Sequence, residues 1–101
     1  MEMNGLDKYR NDIEKLCSTH SVKFLYVFGS SITDRFSDTS DIDLLVRFSP
    51  IDLKNYFSNF LDFKSQLESV FHRKVDLVEE QTVKNPILKN SIERTKMLIY
   101  G

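Results

Sequence analysis

A chain of 101 residues that is 41% hydrophobic and 12% aromatic has the size and composition of one domain with one core. Its formal net charge of −1 speaks against a non-specific electrostatic grip on nucleic acid, so direct nucleic-acid binding is not expected. Three glycines and two prolines exclude a loop-dominated chain, and no apolar run approaches the roughly 20 residues that cross a bilayer.

Leu6, Tyr9, Ile13, Leu16 and Cys17 recur at helical spacing and predict an amphipathic helix over about residues 4–19. The opening MEMNGLDKYR holds no apolar stretch suited to a secretory signal, and the single Cys17 builds no disulfide framework. The expected compartment is therefore the cytoplasm, with Cys17 a buried structural thiol. Residues 22–28, VKFLYVF, are β-branched and aromatic and predict a buried strand that runs into Gly29-Ser30-Ser31. Residues 31–40 are polar and read as a short helical turn and a loop.

Residues 42–48, IDLLVRF, predict a second strand, and a long helix follows over about 52–71 with Asp52 as its N-cap. Leu53, Tyr56, Phe57, Phe60, Leu67, Val70 and Phe71 form its expected inward stripe, while Phe63 lies off that stripe. KVDLV at 74–78 is a third strand, and a weaker helix near 86–95 starts at Pro86 with Ile87, Leu88 and Ile92 facing inward. The run 97–100 is a short strand or a docked tail. This order describes a single α/β (α+β) domain over 1–101, a small mixed β-sheet with helices packed on one side.

Three features could carry chemistry. Gly29 lets the backbone approach a phosphate closely, and Ser30 adds a hydroxyl donor. Asp41 and Asp43 in SDID alternate onto one face of a strand, where two carboxylates repel unless a cation or proton lies between them. That spacing is equally compatible with Asp41 merely capping the strand and Asp43 solvated at an edge. Asp76 interrupts an apolar strand, and it joins the same cluster if that strand pairs beside 42–48. The competing reading puts Asp76 at a wet edge, or pairs it with Lys74 or Arg73. Residues 36–80 hold nine acids against five bases, which suits a hard divalent cation such as Mg²⁺. There is no GxxxxGK[ST] or GxGxxG, no EF-hand spacing, and no Cys or His near His20 or His72 at zinc spacing. Both histidines are expected at the surface or at helix caps.

Gly29-Ser30, ten residues, Asp41-x-Asp43 and a later Asp76 resemble the polymerase-β-like nucleotidyltransferase superfamily. FGSS, SDIDLLVRF, KVDLV and IERTKMLIYG are similar to its short stand-alone "minimal nucleotidyltransferase" (MNT) members. That resemblance implies a nucleotidyltransferase fold with two Mg²⁺ ions held by Asp41, Asp43 and Asp76 and with ATP as substrate. Gly29, Ser30 and Ser31 would form the phosphate-binding turn. It also implies a helical HEPN partner, with AMP added to a tyrosine of that protein in a toxin–antitoxin pair. The chain departs from the GSxARG pattern of many relatives, because Thr33 and Asp34 stand where Arg and Gly would be. Arg35 is a candidate substitute. The departure motivates an alternative, a catalytically inactive module that neutralises a HEPN partner by occlusion. Little chain follows the third carboxylate, so the acceptor surface is expected to come partly from another chain, as a homo- or hetero-oligomer.

Overall fold

The computed structural model describes residues 9–29 and 41–101. Helix α1 (Arg10–Thr19) leads into β1 (Val22–Phe28). Next come β2 (Ile42–Phe48), α2 (Leu53–Phe71) and β3 (Val75–Glu79). A 3-10 turn at Glu80–Thr82, helix α3 (Pro86–Thr95) and strand β4 (Met97–Tyr100) complete the order. No helix among the described residues is long and apolar enough to cross a membrane.

The strands form one sheet in the order β3-β2-β1-β4. β1 runs antiparallel to both β2 and β4, whereas β2 and β3 are parallel. A parallel neighbour needs a long crossover, and α2 with its 19 residues supplies it. The run 97–100 is therefore a true edge strand rather than a loosely docked tail.

Alternation along the strands separates two faces. Leu25, Val27, Ile42, Leu44, Val46, Val75 and Leu77 meet Ile13 and Cys17 of α1 and Phe63, Leu67 and Phe71 of α2. This is the expected mixed sheet with a helical layer on one side. On the opposite face, Phe28 and Leu45 pack with Ile92 of α3, so the short third helix adds a second, smaller contact there.

Several finer expectations are corrected. Phe63 is fully buried and Phe57 is 68% exposed, the reverse of the expected stripe. At 100° per residue Phe57 lies about 120° round the helix from Phe63, which turns it off the sheet. Leu53 is also exposed. Ile87 and Leu88 face solvent because Ile92 is the side chain that α3 buries against the sheet. Asp52 does hold the N-cap position of α2, as expected, but its side chain makes no cap; its backbone carbonyl accepts from Asn55 N–H at 2.9 Å. Asn85 is the true side-chain cap, its Oδ1 accepting from the N–H groups of Ile87 and Leu88 at the start of α3.

His72 sits at the left-handed end of α2 and is exposed, as a capping residue should be. His20 ends α1 but is buried, not a surface residue. Its Nε2 lies 2.6 Å from Asp62 Oδ2 and its Nδ1 lies 2.8 Å from the Leu16 carbonyl. Asn59 Nδ2 donates to the His20 carbonyl at 2.8 Å, so the residue ties α1 to α2. The His20 contact, with a second from Gln66, holds the Asp62 carboxyl below its ordinary range.

Candidate active site

The register of the two central ladders builds the site. Antiparallel pairing sets Phe28, the last residue of β1, opposite Asp43. Parallel pairing sets Asp43 beside Asp76. Their neighbours in sequence, Ile42, Leu44, Val75 and Leu77, belong to the helix-covered face. Alternation therefore turns both carboxylates to the other face, beyond Phe28 and Leu45. Asp41 stands one residue before β2 and is exposed, Asp43 is half-buried and Asp76 is exposed.

Asp43 feels the charge of both other carboxylates. Burial pushes the Asp43 carboxyl above its ordinary range, and the charges of Asp76 and Asp41 push it further in the same direction. A carboxylate in that position is relieved by a proton or a cation. Asp76 thus combines both readings left open by its sequence: it lies on an edge strand in water, and it stands next to Asp43.

Gly29 closes the site from β1. Its φ is +68°, in the left-handed region, and a Cβ added there would stand 2.8 Å from Asp43 Oδ2. Only glycine lets the chain turn directly against that carboxylate. The Gly29 N–H donates to Thr95 Oγ1 at 3.3 Å, and the Thr95 hydroxyl donates to the Ser91 carbonyl at 2.8 Å. The amide of Gly29 is therefore engaged by the end of α3. Thr95 escaped the sequence reading, because nothing local links residues 66 positions apart. Ser30 and Ser31 lie outside the described residues, as do Thr33, Asp34 and Arg35.

The donors are all carboxylate oxygens, which suits Mg²⁺ rather than a soft metal. Among the described residues no three His, Cys, Asp or Glu side chains gather into a ready-made metal cage. That agrees with the usual habit of Mg²⁺ in phosphoryl-transfer sites, where one or two carboxylates share the ion with substrate phosphates and water. The residues fit the ion in that manner.

The family model for the polymerase beta nucleotidyltransferase domain matches residues 11–101. The chain belongs to this nucleotidyltransferase family. Two relatives from Methanocaldococcus jannaschii carry the provisional name protein adenylyltransferase. One nucleotidyltransferase relative is 39% identical over 83 residues, covering 80% of this chain and 78% of its own. The other is 33% identical over 98 residues, covering 90% and 88%. A solved structure provisionally named a minimal nucleotidyltransferase superposes with a TM-score of 0.75 at 28% identity, covering 96% of this chain and 95% of its own. A chain from the complex of tri-AMPylated Shewanella oneidensis HEPN toxin with MNT antitoxin superposes at 0.65 and 22% identity, covering 93% and 71%. That last likeness establishes the nucleotidyltransferase fold alone.

Proposed function

We propose that this nucleotidyltransferase moves AMP from ATP to a hydroxyl of a partner protein, and that the partner is a HEPN-type helical protein modified on tyrosine. The observation that carries the proposal is the Asp43–Asp76 pair on adjacent strands, closed at one side by Gly29. The two archaeal relatives named as protein adenylyltransferases support the reaction class. The AMPylated HEPN toxin found with a neighbour of the same fold supports the acceptor. On this reading the chain is the antitoxin of a toxin–antitoxin pair and works in the cytoplasm, where ATP is available.

Asp41, Asp43 and Asp76 are the residues that would hold two Mg²⁺ ions. Bound there, the ions supply positive charge against the triphosphate and the departing oxygen. Asp76 orients the acceptor hydroxyl and takes its proton. The freed oxygen forms a bond to the α-phosphorus in line, the bond from that phosphorus to the β-phosphate oxygen breaks, and pyrophosphate leaves. Gly29, with Ser30 and Ser31, seats the triphosphate.

A ligand that binds only the folded state raises the melting temperature. Mg²⁺ with a non-hydrolysable ATP analogue is expected to raise it by roughly 5 °C or more at saturating concentration. Asp41→Asn/Asp43→Asn should show no rise. A wild-type protein that is equally indifferent to the analogue would contradict the enzyme reading and favour neutralisation by occlusion.

A further inference from the structure

At the β3 edge, on the helix side of the sheet and across it from the carboxylates, one surface is built as though to receive a chain. A groove of about 400 Å³ lies between α2 and β3, with Tyr56, Phe57, Phe60, Leu77 and Val78 among its lining residues. Leu53, Phe57 and Leu61, exposed at 88%, 68% and 48%, continue it as an apolar stripe at positions i, i+4 and i+8 of α2. Scattered exposed apolar residues are ordinary, but a contiguous stripe next to an apolar groove marks an interaction surface.

The occupant is indicated by β3, which forms one edge of the sheet among the described residues. The Ile42 N–H donates to the Lys74 carbonyl at 3.0 Å, so the backbone of residue 74 faces β2. The Val75 N–H turns the other way, to the Glu68 carboxylate at 2.9 Å. Alternation then turns the backbone of Leu77 outward, two residues on from the amide that Glu68 already covers. A short extended segment can pair there. An added strand also alternates its side chains between the two faces of the sheet. One residue would stand beside Asp76 on the carboxylate face, and its two neighbours would drop toward Phe57, Phe60 and Leu77.

We infer that the α2–β3 groove docks an extended segment of the acceptor polypeptide as a short added strand, with the acceptor hydroxyl beside Asp76 and apolar residues flanking it. This rests on the protein-acceptor reading above and adds to it the sequence class that the site selects. The exposed carboxylate of Asp76 at the same edge disfavours acidic flanks.

The test compares two synthetic peptides, one with Val-Tyr-Val and one with Ser-Tyr-Ser at the centre of otherwise identical neutral sequences. Both are offered to the full chain with Mg²⁺ and α-labelled ATP, with kcat and KM measured separately. The valine peptide is expected to show a KM roughly tenfold lower at similar kcat. Phe57→Asp, a change at an exposed position, should erase that difference while circular dichroism stays native. Equal KM values for the two peptides, or a preference that survives Phe57→Asp, would overturn the docking proposal and leave the transferase reading standing. A wild-type dimer that Phe57→Asp dissociates would also overturn it, since the groove would then be an interface between copies. Absence of label in either peptide and in every protein acceptor would remove the transferase reading, and this proposal with it.

Discussion

Gly29 shows how closely one residue can tie backbone geometry to chemistry. Its left-handed φ, and the 2.8 Å that would separate an added methyl from Asp43 Oδ2, predict that Gly29→Ala acts twice. Strain in the left-handed region costs about 1–2 kcal/mol, read as a lowered urea midpoint, and displacement of Asp43 removes nucleotidyl transfer. Asp43 itself is held under repulsion from Asp76 and Asp41. Asp43→Asn should therefore leave the protein at least as stable as wild type without Mg²⁺ and should abolish the stabilisation that Mg²⁺ gives, both readable by thermal melts. Loss of stability in that variant without Mg²⁺ would contradict the account. Cys17 makes a contrasting case. Burial pushes its thiol up to about 12, so a thiol reagent at pH 8 should label it only after unfolding. Asp43 was readable in the sequence because alternation fixes which side chains share a face, and Cys17 because helical spacing aligns it with Ile13 and Leu16. Thr95 was not, because its contact with Gly29 exists only once α3 is folded over the sheet.

At the scale of elements, α2 separates what periodicity can and cannot tell. The helix and its length follow from the recurrence of apolar residues, and the seven candidates span an arc of about 140°, but where within that arc the sheet sits is not in the pattern: Phe63 falls inside the arc and Phe57 at its rim. The packing of Phe63, Leu67 and Phe71 against the sheet decides it. Phe63→Ala should therefore cost about 3–5 kcal/mol in chemical unfolding, against less than about 0.5 kcal/mol for Phe57→Ala. The end of α2 is joined to the start of β3 by Glu68, which accepts from the Val75 N–H and lies 3.4 Å from Lys64 Nζ. The Val75 hydrogen bond first, and the Lys64 contact after it, holds the Glu68 carboxyl below its ordinary 4.5. Such a group stabilises the fold above its unfolded value and loses that contribution as pH falls through its folded value. Glu68→Gln should thus cost about 1 kcal/mol near neutral pH, with the gap to wild type closing below about pH 4. A gap that stays constant down to pH 3 would show that the ion plays no part. α3 was legible as a helix from Pro86 and the spacing of Ile87, Leu88 and Ile92, yet its Asn85 cap and its shallow seating, with only Ile92 buried, were not.

For the whole molecule, the decisive fact is an ordering of strands. Two of the expected strands carry acids at known offsets, and the resemblance of FGSS and SDIDLLVRF to a nucleotidyltransferase supplies the expectation that they meet. Whether Asp76 reaches Asp43 depends on a parallel register set by a crossover that carries the 19-residue α2, and no local pattern encodes that. The same ordering leaves β3 at an edge, which places a carboxylate within reach of an incoming chain. The most direct test of the central claim is transfer of label from α-labelled ATP, with Mg²⁺, into candidate protein acceptors, alongside Asp41→Asn/Asp43→Asn. The account predicts a labelled protein band with wild type and none with the variant, although both remain folded. Equal labelling by the variant, or none by a wild type that still binds its partner, would contradict it.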